Sequence, residues 1–402
     1  MRILVLTNKM PYPPKDGGSI ASLALAEALN DCGNKVDILS MNTSKHFVDQ
    51  EELPKELTNK INFYTVPVNT DISLPALINN LVFSKEPYNA ARFISEDFKN
   101  ELLTRIKAED YDIIQLEGLY LCPYIDLIKE NSNCKISLRS HNIEHEIWQR
   151  AAENESNFLK KRYKRILAKR IKNFKLSFLN KYDYLIPITE RDGIQYNNLG
   201  NEKPIHITPT GIDEINYVVD KSRVRFPGIF HIGALDWIPN QEGLRWFIEN
   251  IWKPFKKKHP DFRFHLAGRN APPAFEKYLM GTGITYLGEI EDANQFINDN
   301  SIMIVPLLSG SGMRIKIIEG MALGKTIITT SIGTEGINSN HNENILIADD
   351  PYSFYECLEK VSTDIELHEK ISNNAIKFVH ENFNNIKIAD NLTKFYSDQK
   401  SK

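Results

Sequence analysis

The sequence predicts an α/β fold built from two doubly wound, Rossmann-like domains that face a central cleft. Two observations support this fold class: short apolar runs alternate with longer stretches of helical periodicity, and the whole pattern occurs twice along the chain. Continuous apolar runs are typical of strands that are buried on both faces, as in a parallel sheet covered by helices. A chain of 402 residues has room for about two to three domains, each with its own core.

The first half of the chain contains six short apolar runs, separated by stretches in which apolar residues recur at helical spacing. Such runs between turn-forming residues predict buried strands, and the longer spacing predicts helices. The strands are predicted at residues 3–6, 36–39, 61–66, 113–116, 136–138 and 185–188, and the clearest helices at residues 19–30 and 89–107.

The second half repeats this pattern, and a break in periodicity separates the two halves. Proline and glycine interrupt the pattern between Thr208 and Pro227, which places the domains at residues 1–210 and 211–382. Ligands of such sheets bind beyond the carboxyl ends of the strands, so functional residues are expected there. The strands are predicted at residues 228–232, 262–266, 284–287, 302–305, 326–329 and 345–347, and the clearest helices at residues 240–258 and 314–322.

Composition and charge exclude several classes of protein. The formal net charge is −3, so the chain lacks the basic balance that is typical of nucleic-acid-binding domains. The four cysteines are scattered and form no C-x-x-C pair, which is typical of a reduced compartment. No apolar run approaches the length of a membrane span, and the N-terminal run is too short for a signal peptide. We therefore expect a cytoplasmic protein that binds no nucleic acid.

A pair of glycines, Gly17 and Gly18, opens the helix that follows the first predicted strand. Adjacent glycines let the backbone approach a ligand closely, and a helix N-terminus offers N–H groups to an anion. The spacing differs from G-x-G-x-x-G, which argues against a nicotinamide cofactor. The alternative is an ordinary strand–helix turn in which Ser19 caps the helix.

Polar residues also follow two other predicted strands of the first half. Arg139, His141 and Asn142 come directly after residues 136–138, where a histidine is suited to exchange hydrogen bonds with a bound sugar. Glu117 ends the strand before it and is a candidate to hold an acceptor hydroxyl, or alternatively a solvated carboxylate. Residues 141–145 match the H-x-x-E-H zinc pattern, but that pattern requires both histidines in one helix, so no metal is expected.

The segment from 305 to 325 is the richest in candidate site residues. A predicted strand ends, Gly310, Ser311 and Gly312 form a loop, and a helix begins near Gly312. The helix N-terminus suits a diphosphate, and Arg314 and Lys316 add positive charge for a departing diphosphate. Glu319 lies further into the helix, where a carboxylate suits neutral hydroxyl groups such as those of ribose. The alternative is a surface helix with ordinary charges.

Taken in order, these motifs resemble the retaining glycosyltransferases of family 4 (group 1), which have two Rossmann-like domains in the GT-B arrangement. The resemblance implies transfer of a sugar from a UDP- or GDP-linked donor to a hydroxyl, with retention and without a metal or other cofactor. It also implies that the last helix, at about residues 383–402, packs back on the first domain. It rests on Gly17-Gly18, on residues 209–213, on residues 233–240, on Ala267-Gly268 and on residues 319–325.

The resemblance also assigns roles to individual residues. It places Glu319 on the nucleotide ribose and the turn of Gly310, Ser311 and Gly312 on the sugar and diphosphate. It places Gly17 and Gly18 against the phosphates, and His141 near the donor sugar and the acceptor. His141, Arg314 and Lys316 are thus the predicted catalytic residues, and Glu117, Arg139 and Asn142 are the acceptor-side candidates.

Two positions depart from the family pattern. The family commonly has a glutamate eight positions before the one at 319, and this chain has Ser311 there. The basic pair that usually follows the first strand of the second domain is missing, because residues 233–240 contain no Arg or Lys. We expect Arg314 and Lys316 to supply that charge from the helix instead.

A strongly basic helix is predicted at residues 160–175, where nine of sixteen positions are Lys or Arg and none is acidic. Apolar residues recur through it at helical spacing, so the helix is amphipathic. Two interpretations remain open. The apolar stripe packs on the first domain while the charges face water, or the basic face makes a peripheral contact with anionic lipid on the inner side of a membrane.

The function predicted from these observations is sugar transfer from a nucleotide-diphospho-sugar to a hydroxyl of a glycan or lipid-linked saccharide, as in polysaccharide biosynthesis. Two alternatives share the fold. One is a nucleotide-sugar 2-epimerase or hydrolase, and the other is a non-catalytic protein that binds a nucleotide-sugar.

Overall fold

The computed structural model describes residues 1–71, 73–153, 155–310 and 312–400. The chain forms two compact units, Met1–Gly211 with Asn385–Lys402, and Ile212–Asn384. Each unit contains one six-stranded sheet in which every strand pairs with its neighbours in parallel. The predicted fold class of two doubly wound α/β domains is confirmed.

The sheet of the first unit has the order β3-β2-β1-β4-β5-β6. The strand order reverses between β1 and β4, and ligands of open α/β sheets bind beyond the carboxyl ends of the strands at such a point. Consecutive buried aliphatic residues form each central strand because helices cover both faces. The strands are β1 (Arg2–Thr7), β2 (Lys35–Thr43), β3 (Asn62–Val68), β4 (Ile113–Glu117), β5 (Lys135–Ser140) and β6 (Tyr184–Pro187).

Helices cover this sheet, and the last helix of the chain is one of them. It contributes Ile388, Leu392 and Tyr396 to a core shared with the first helix, so the C-terminus returns to the first unit. The helices of this unit are α1 (Gly17–Asp31), α2 (Lys55–Thr58), α3 (Leu74–Phe83), α4 (Tyr88–Ala91), α5 (Glu96–Ala108), α6 (Ile125–Asn131), α7 (Glu144–Glu153), α8 (Phe158–Phe178), α9 (Glu190–Asn198) and α17 (Asn385–Lys400).

The second unit repeats the doubly wound arrangement, with the strand order β12-β11-β10-β7-β8-β9 and the reversal between β10 and β7. Its strands are β7 (Ile229–Ile232), β8 (Phe264–Ala267), β9 (Thr285–Gly288), β10 (Ile302–Val305), β11 (Thr326–Thr329) and β12 (Leu346–Ile347). Its helices are α10 (Ile238–Phe247), α11 (Lys253–Lys258), α12 (Pro273–Leu279), α13 (Ala293–Asn298), α14 (Ile315–Ala322), α15 (Pro351–Thr363) and α16 (Ile365–Asn382).

Two predicted helices differ from the observed ones. The helix predicted at residues 89–107 is two helices, α4 and α5, because Ser95 adopts an extended backbone and its hydroxyl accepts a hydrogen bond from Phe98 N, which starts a new helix. The helix predicted at residues 240–258 contains a π-helical turn, Ile248–Trp252, between α10 and α11.

Candidate functional site

A cavity of about 510 Å³ lies in the first unit, at the carboxyl ends of its strands. It is lined by Thr7 at the end of β1, Thr43 at the end of β2, Glu117 at the end of β4 and His141 just after β5. Parallel strands place their carboxyl ends at one edge of the sheet, so residues far apart in sequence meet here. Its position is that expected for a ligand site in a doubly wound domain.

At the base of this cavity, Glu117 is a buried carboxylate with four hydrogen-bond donors. Its Oε2 accepts from Ser22 Oγ at 2.7 Å, lies 2.7 Å from His141 Nε2 and 3.3 Å from Arg139 Nη1, and its Oε1 accepts from Gln115 Nε2 at 2.5 Å. Burial raises the pKa of Glu117, but the charge of Arg139 and the hydrogen bond with His141 outweigh it and lower the pKa to about 2. Glu117 is therefore ionised and partnered, which corrects the alternative of a solvated carboxylate.

The predicted role of Arg139 at the acceptor also needs correction. Arg139 is completely buried and donates to Ala21 O at 2.9 Å as well as to Glu117, so its guanidinium neutralises the carboxylate instead of facing the cavity. His141 and Asn142 do line the cavity. The cavity lining therefore includes four of the predicted site residues, Gly18, Glu117, His141 and Asn142, and Arg139 lies behind them.

The N-terminus of α1 is not open to an anion as predicted. Asp16 caps this helix, and its Oδ1 accepts from the N–H groups of Gly18 and Ser19, each at 3.1 Å. Lys9 Nζ lies 2.5 Å from Asp16 Oδ2, which completes a local ion pair. The N–H group of Gly18 predicted to meet phosphate is thus already satisfied, and the cap is Asp16 instead of Ser19. Gly18 nevertheless lines the cavity of the first unit, and contact of Gly17 or Gly18 with phosphate stays a prediction.

In the second unit, the loop before α14 is shaped by Arg314. This residue is buried, its guanidinium donates to the carbonyl of Gly312, and it lies 5.6 Å from the ring centroid of Trp237. Gly310 has φ +122°, and a Cβ there would lie 2.8 Å from Arg314 Nη2, so glycine is required at this position. Ser311, the predicted sugar contact, lies outside the described residues. Arg314 is the N-cap residue of α14, so the helix begins at Ile315, one position later than in the predicted helix of residues 314–322.

Lys316 reaches from the first turn of α14 to the end of β7. Its Nζ donates to Asn240 Oδ1 at 3.0 Å and to Ile232 O at 3.4 Å, and it would lie 3.0 Å from a Cβ placed on Gly233. An ammonium group therefore occupies the strand exit where the resembling family has its basic pair. Burial, together with the charge of Arg314, lowers the pKa of Lys316 to about 7, although Glu319 raises it.

One turn further along α14, Glu319 is held by a tyrosine that sequence analysis did not single out. The hydroxyl of Tyr217 donates to Glu319 Oε1 at 2.9 Å. Burial raises the pKa of Glu319, and the hydrogen bond from Tyr217 and the charge of Lys316 partly oppose that shift. Lys316 and Glu319 thus present a cation and a carboxylate from successive turns of one helix, beside a helix N-terminus that the side chain of its N-cap residue, Arg314, does not cap.

The part of the chain that the structure describes contains neither a cluster of metal ligands nor a helix that could span a membrane. Within residues 1–71, 73–153, 155–310 and 312–400, no group of three or more His, Cys, Asp or Glu side chains is placed to hold a metal ion. The H-x-x-E-H match is split, since His141 precedes α7 and His145 lies in it. None of the helices in those ranges combines the length and the apolar character that a membrane span requires.

Several residues of these sites could not be predicted from the sequence, because only the folded chain brings them next to their partners. Ser22, Gln115 and Tyr396 come together around Glu117, although Tyr396 lies 281 positions after Gln115. Tyr217 and Asn240 likewise meet α14 from distant segments. Neither a motif nor a periodicity marks such polar residues as partners of a site.

Comparison with known proteins supports these assignments at the level of fold and domain. Residues 226–364 match the family model described as Glycosyl transferases group 1. A Klebsiella pneumoniae protein described as an uncharacterized 44.6 kDa protein in the cps region is 26% identical, over 98% of this chain and 99% of its own length.

Solved structures with the same overall fold include two of low sequence identity. Sucrose-phosphate synthase of Thermosynechococcus elongatus matches with a TM-score of 0.73 at 14% identity, covering 100% of both chains. Anabaena HepE, solved in complex with UDP, matches with a TM-score of 0.70 at 14% identity, covering 99% of this chain and 100% of its own. These likenesses establish the two-domain α/β Rossmann-like fold, and residues 226–364 are similar in sequence to the group 1 glycosyl transferases.

Proposed function

We propose that this protein transfers a sugar from a nucleotide-diphospho-sugar to an acceptor hydroxyl, with retention of anomeric configuration and without a metal ion. The observation that carries the proposal is α14 of the second unit. Its N-terminus, the ammonium of Lys316 and the carboxylate of Glu319 lie in sequence along one helix of the segment that matches the group 1 glycosyl transferases. A helix N-terminus and a cation suit a diphosphate, and a carboxylate suits the hydroxyl groups of ribose.

The proposed chemistry uses Lys316 and the N-terminus of α14 to stabilise charge on the leaving diphosphate. The bond between the sugar C1 and the phosphate oxygen breaks, and the acceptor oxygen forms a new bond to C1 from the same face. The acceptor proton goes to the departing phosphate oxygen, which yields a free nucleoside diphosphate. Preorganised positive charge at a leaving group typically contributes about 3–4 kcal/mol to catalysis.

The cavity of the first unit is the proposed acceptor site. Its volume of about 510 Å³ accommodates a mono- or disaccharide unit. His141 and Asn142 offer hydrogen-bonding groups at its surface, and Tyr120 and Phe93 offer stacked aromatic rings. We propose a glycan or lipid-linked saccharide as the acceptor on this basis. The match to HepE in complex with UDP makes UDP the first nucleotide to test.

The test is a binding and turnover panel with the full chain. Calorimetry against UDP, GDP and ADP identifies the nucleotide, and release of that nucleoside diphosphate from its sugar derivatives is then measured with and without saccharide acceptors. NMR of the product compares its anomeric configuration with that of the donor, and chelator tests the need for a metal. A 2-epimer formed without acceptor would replace transfer by epimerisation, and binding without any turnover would indicate a non-catalytic protein.

Nucleotide binding is expected to take up a proton between pH 7 and 9. The pKa of Lys316 is lowered to about 7, so most of its amine is neutral at pH 8. A bound diphosphate favours the charged form and raises that pKa, and affinity must therefore fall as the pH rises above 7. Calorimetry at pH 8 in two buffers of different ionisation enthalpy measures the uptake, which should approach one proton. Lys316→Met should abolish it, and unchanged uptake in that variant would contradict the assignment.

We further propose that α8 makes the peripheral membrane contact. Its buried stripe, including Leu167, Ile171 and Phe174, packs in the core of the first unit, which confirms that part of the prediction. The opposite face is exposed and carries basic residues at intervals of three or four positions: Arg162, Arg165, Lys169 and Lys172.

The start of α8 adds apolar groups to this basic face. Phe158 and Leu159 are 73% and 74% exposed, and Phe83 at the end of α3 is 84% exposed. Arg170 donates to the carbonyls of Asn80 and Leu81, so α3 is held against α8. Exposed aromatic and aliphatic side chains beside exposed cations suit an anionic lipid surface, since the rings enter the interface while the cations meet headgroups.

Removing two of these cations is expected to weaken membrane binding by about 10- to 30-fold, because each contributes about 1 kcal/mol at an anionic surface. The measurement is cosedimentation of Arg165→Ser/Lys169→Ser with vesicles of phosphatidylcholine containing phosphatidylglycerol. Lys257→Ser/Lys277→Ser, which removes two exposed lysines of the second unit, is the matched control. Equal binding of both double variants, or binding to pure phosphatidylcholine vesicles, would refute the surface.

A further inference from the structure

A buried hydrogen-bond chain connects the C-terminal helix with His141. Tyr396, on α17, is completely buried, and its hydroxyl donates to Gln115 Oε1 at 2.9 Å and lies 2.9 Å from Ser137 Oγ. Gln115 in turn donates from Nε2 to Glu117 Oε1 at 2.5 Å. Glu117 Oε2 lies 2.7 Å from His141 Nε2. The last helix of the chain thus reaches the cavity of the first unit through polar groups.

The direction of these hydrogen bonds is determined by the carboxylate. Glu117 is ionised, with its pKa lowered to about 2 against the effect of burial by Arg139 and His141, and an ionised carboxylate only accepts hydrogen bonds. His141 Nε2 must therefore carry a proton. Gln115 must present its amide N–H to Glu117, which leaves its oxygen for the hydroxyl of Tyr396. Each member of the chain orients the next.

The other nitrogen of His141 is the one available to a ligand. His141 lines the cavity, its side chain is 17% exposed, and within the described part of the chain Nδ1 has no hydrogen-bond partner. In a neutral imidazole protonated on Nε2, Nδ1 is an acceptor. A hydroxyl group in the cavity can donate to it.

We propose that Tyr396, Gln115 and Glu117 are positioning residues that hold His141 as the Nε2-protonated tautomer, with Nδ1 as the acceptor for a substrate hydroxyl in the cavity. This inference rests on the proposed function for the identity of that hydroxyl, which belongs to the saccharide acceptor. It also gives the return of α17 to the first unit a role in the site, because the helix supplies the first hydrogen bond of the chain.

The positioning is tested by NMR of the full chain labelled with [15N]histidine, without substrate. His141→Gln identifies the resonances of His141. The wild type should show His141 protonated on Nε2 and unprotonated on Nδ1, with slow exchange of the Nε2 proton. Tyr396→Phe should accelerate that exchange, and Glu117→Gln should accelerate it further. A wild-type His141 that carries a proton on Nδ1, whether alone or together with one on Nε2, would overturn the proposal.

Tyr184→Phe is the matched control for Tyr396→Phe. Tyr184 packs beside Tyr396, with ring centroids 5.8 Å apart, and its hydroxyl makes no hydrogen bond to any described residue. Exchange in this variant should equal that of the wild type. If Tyr396→Phe and Tyr184→Phe give the same exchange rate, the role of α17 is refuted. Ser22→Ala, which removes another donor to Glu117, provides a second test if Glu117→Gln does not fold.

Activity and binding assays distinguish a failure of this inference from a failure of the proposed function. Tyr396→Phe should lower kcat/KM for the acceptor about 3- to 10-fold, the equivalent of one hydrogen bond, and should leave the affinity for the nucleotide unchanged. Tyr184→Phe should leave both unchanged. If the protein has no transferase activity, the proposed function fails while the NMR arm still decides the positioning. A loss of nucleotide affinity in Tyr396→Phe equal to the loss of kcat/KM would indicate a general structural defect and refute positioning.

Discussion

Replacing Lys316 by methionine is expected to lower kcat for sugar transfer by about 10²- to 10³-fold, the usual loss when one preorganised group that stabilises transition-state charge is removed. Lys316 Nζ lies at the end of β7, 3.0 Å from Asn240 Oδ1, beside the N-terminus of α14. In the proposed function, positive charge at this place acts on the leaving diphosphate, so the chemical step should lose more than donor binding does. Initial rates at saturating donor and acceptor measure the effect.

Stability provides an independent readout for the same variant. Because the pKa of Lys316 is about 7 in the folded chain and higher in the unfolded chain, protonating it in the fold costs free energy. This penalty is present in full below pH 7 and decreases as the pH rises from 7 to the pKa that Lys316 has in the unfolded chain. Methionine removes the penalty and keeps most of the side-chain volume, so the Tm at pH 7 should stay equal or rise while activity falls.

Lys325→Met is the matched control for this experiment. Lys325 is also a buried lysine of the second unit, and burial lowers its pKa to about 8, but its Nζ donates to the carbonyl of Asn298. We expect the activity of Lys325→Met to remain within about 2-fold of the wild type. The substitution removes one ordinary hydrogen bond, and that bond does not belong to the candidate site. Similar losses of activity in both variants would show that removing any buried lysine impairs the domain, and would contradict the role of Lys316.

Replacing Glu319 by alanine is expected to weaken nucleoside diphosphate binding by about 10- to 100-fold. A carboxylate that accepts from ribose makes a charge-assisted hydrogen bond, and the loss of one such bond costs about 1.5–3 kcal/mol, which corresponds to this range. Calorimetry with the nucleotide identified by the panel measures the change. Tyr217→Phe, which removes the donor to Glu319 Oε1 but keeps the carboxylate, should cause a smaller loss of about 2- to 5-fold.

A modified nucleotide makes this test specific for the ribose. A 2′,3′-dideoxynucleoside diphosphate lacks the two hydroxyl groups, so it should bind equally to the wild type and to Glu319→Ala. Pyrophosphate should likewise bind equally to both. If Glu319→Ala weakens the dideoxy analogue as much as the natural nucleotide, the carboxylate acts on the shape of α14 instead of on the ribose.

The strands and their order along the chain could be predicted because each is a short run of buried aliphatic residues. The runs at residues 302–305 and 326–329 coincide with β10 and β11, and the others differ from the observed strands by a few residues at their ends. Burial on both faces of the sheet makes each strand apolar throughout, and this signal is local. The break at Ser95 was missed because a capping serine inside a helical pattern changes one residue only.

The candidate site was predictable in part. His141 follows a strand, Lys316 lies in the first turn of a helix and Glu319 lies one turn further along it. The strand–helix pattern therefore predicted that these residues lie at the carboxyl edges of the sheets. The sequence positions of the other candidate residues did not predict whether their side chains are buried or line the cavity. Arg139 and His141 leave the same strand two residues apart, yet one is buried behind Glu117 and the other lines the cavity. Strand alternation puts residues two positions apart on the same side, so it does not separate them. Arg139 lies within β5 opposite Glu117 of β4, whereas His141 comes just after the end of the strand.

The fold class, the strands and the segments that carry the candidate site are predictable from the amino-acid sequence, because they depend on the local pattern of apolar residues and helix starts. Which polar groups are satisfied and which are open to a ligand depends on contacts between distant segments. The side chain of Asp16 caps the N-terminus of α1, whereas the N-cap residue of α14, Arg314, makes no such hydrogen bond. Tyr396 completes the network at Glu117 from the far end of the chain. A buried polar group requires a partner, and packing alone brings distant partners together.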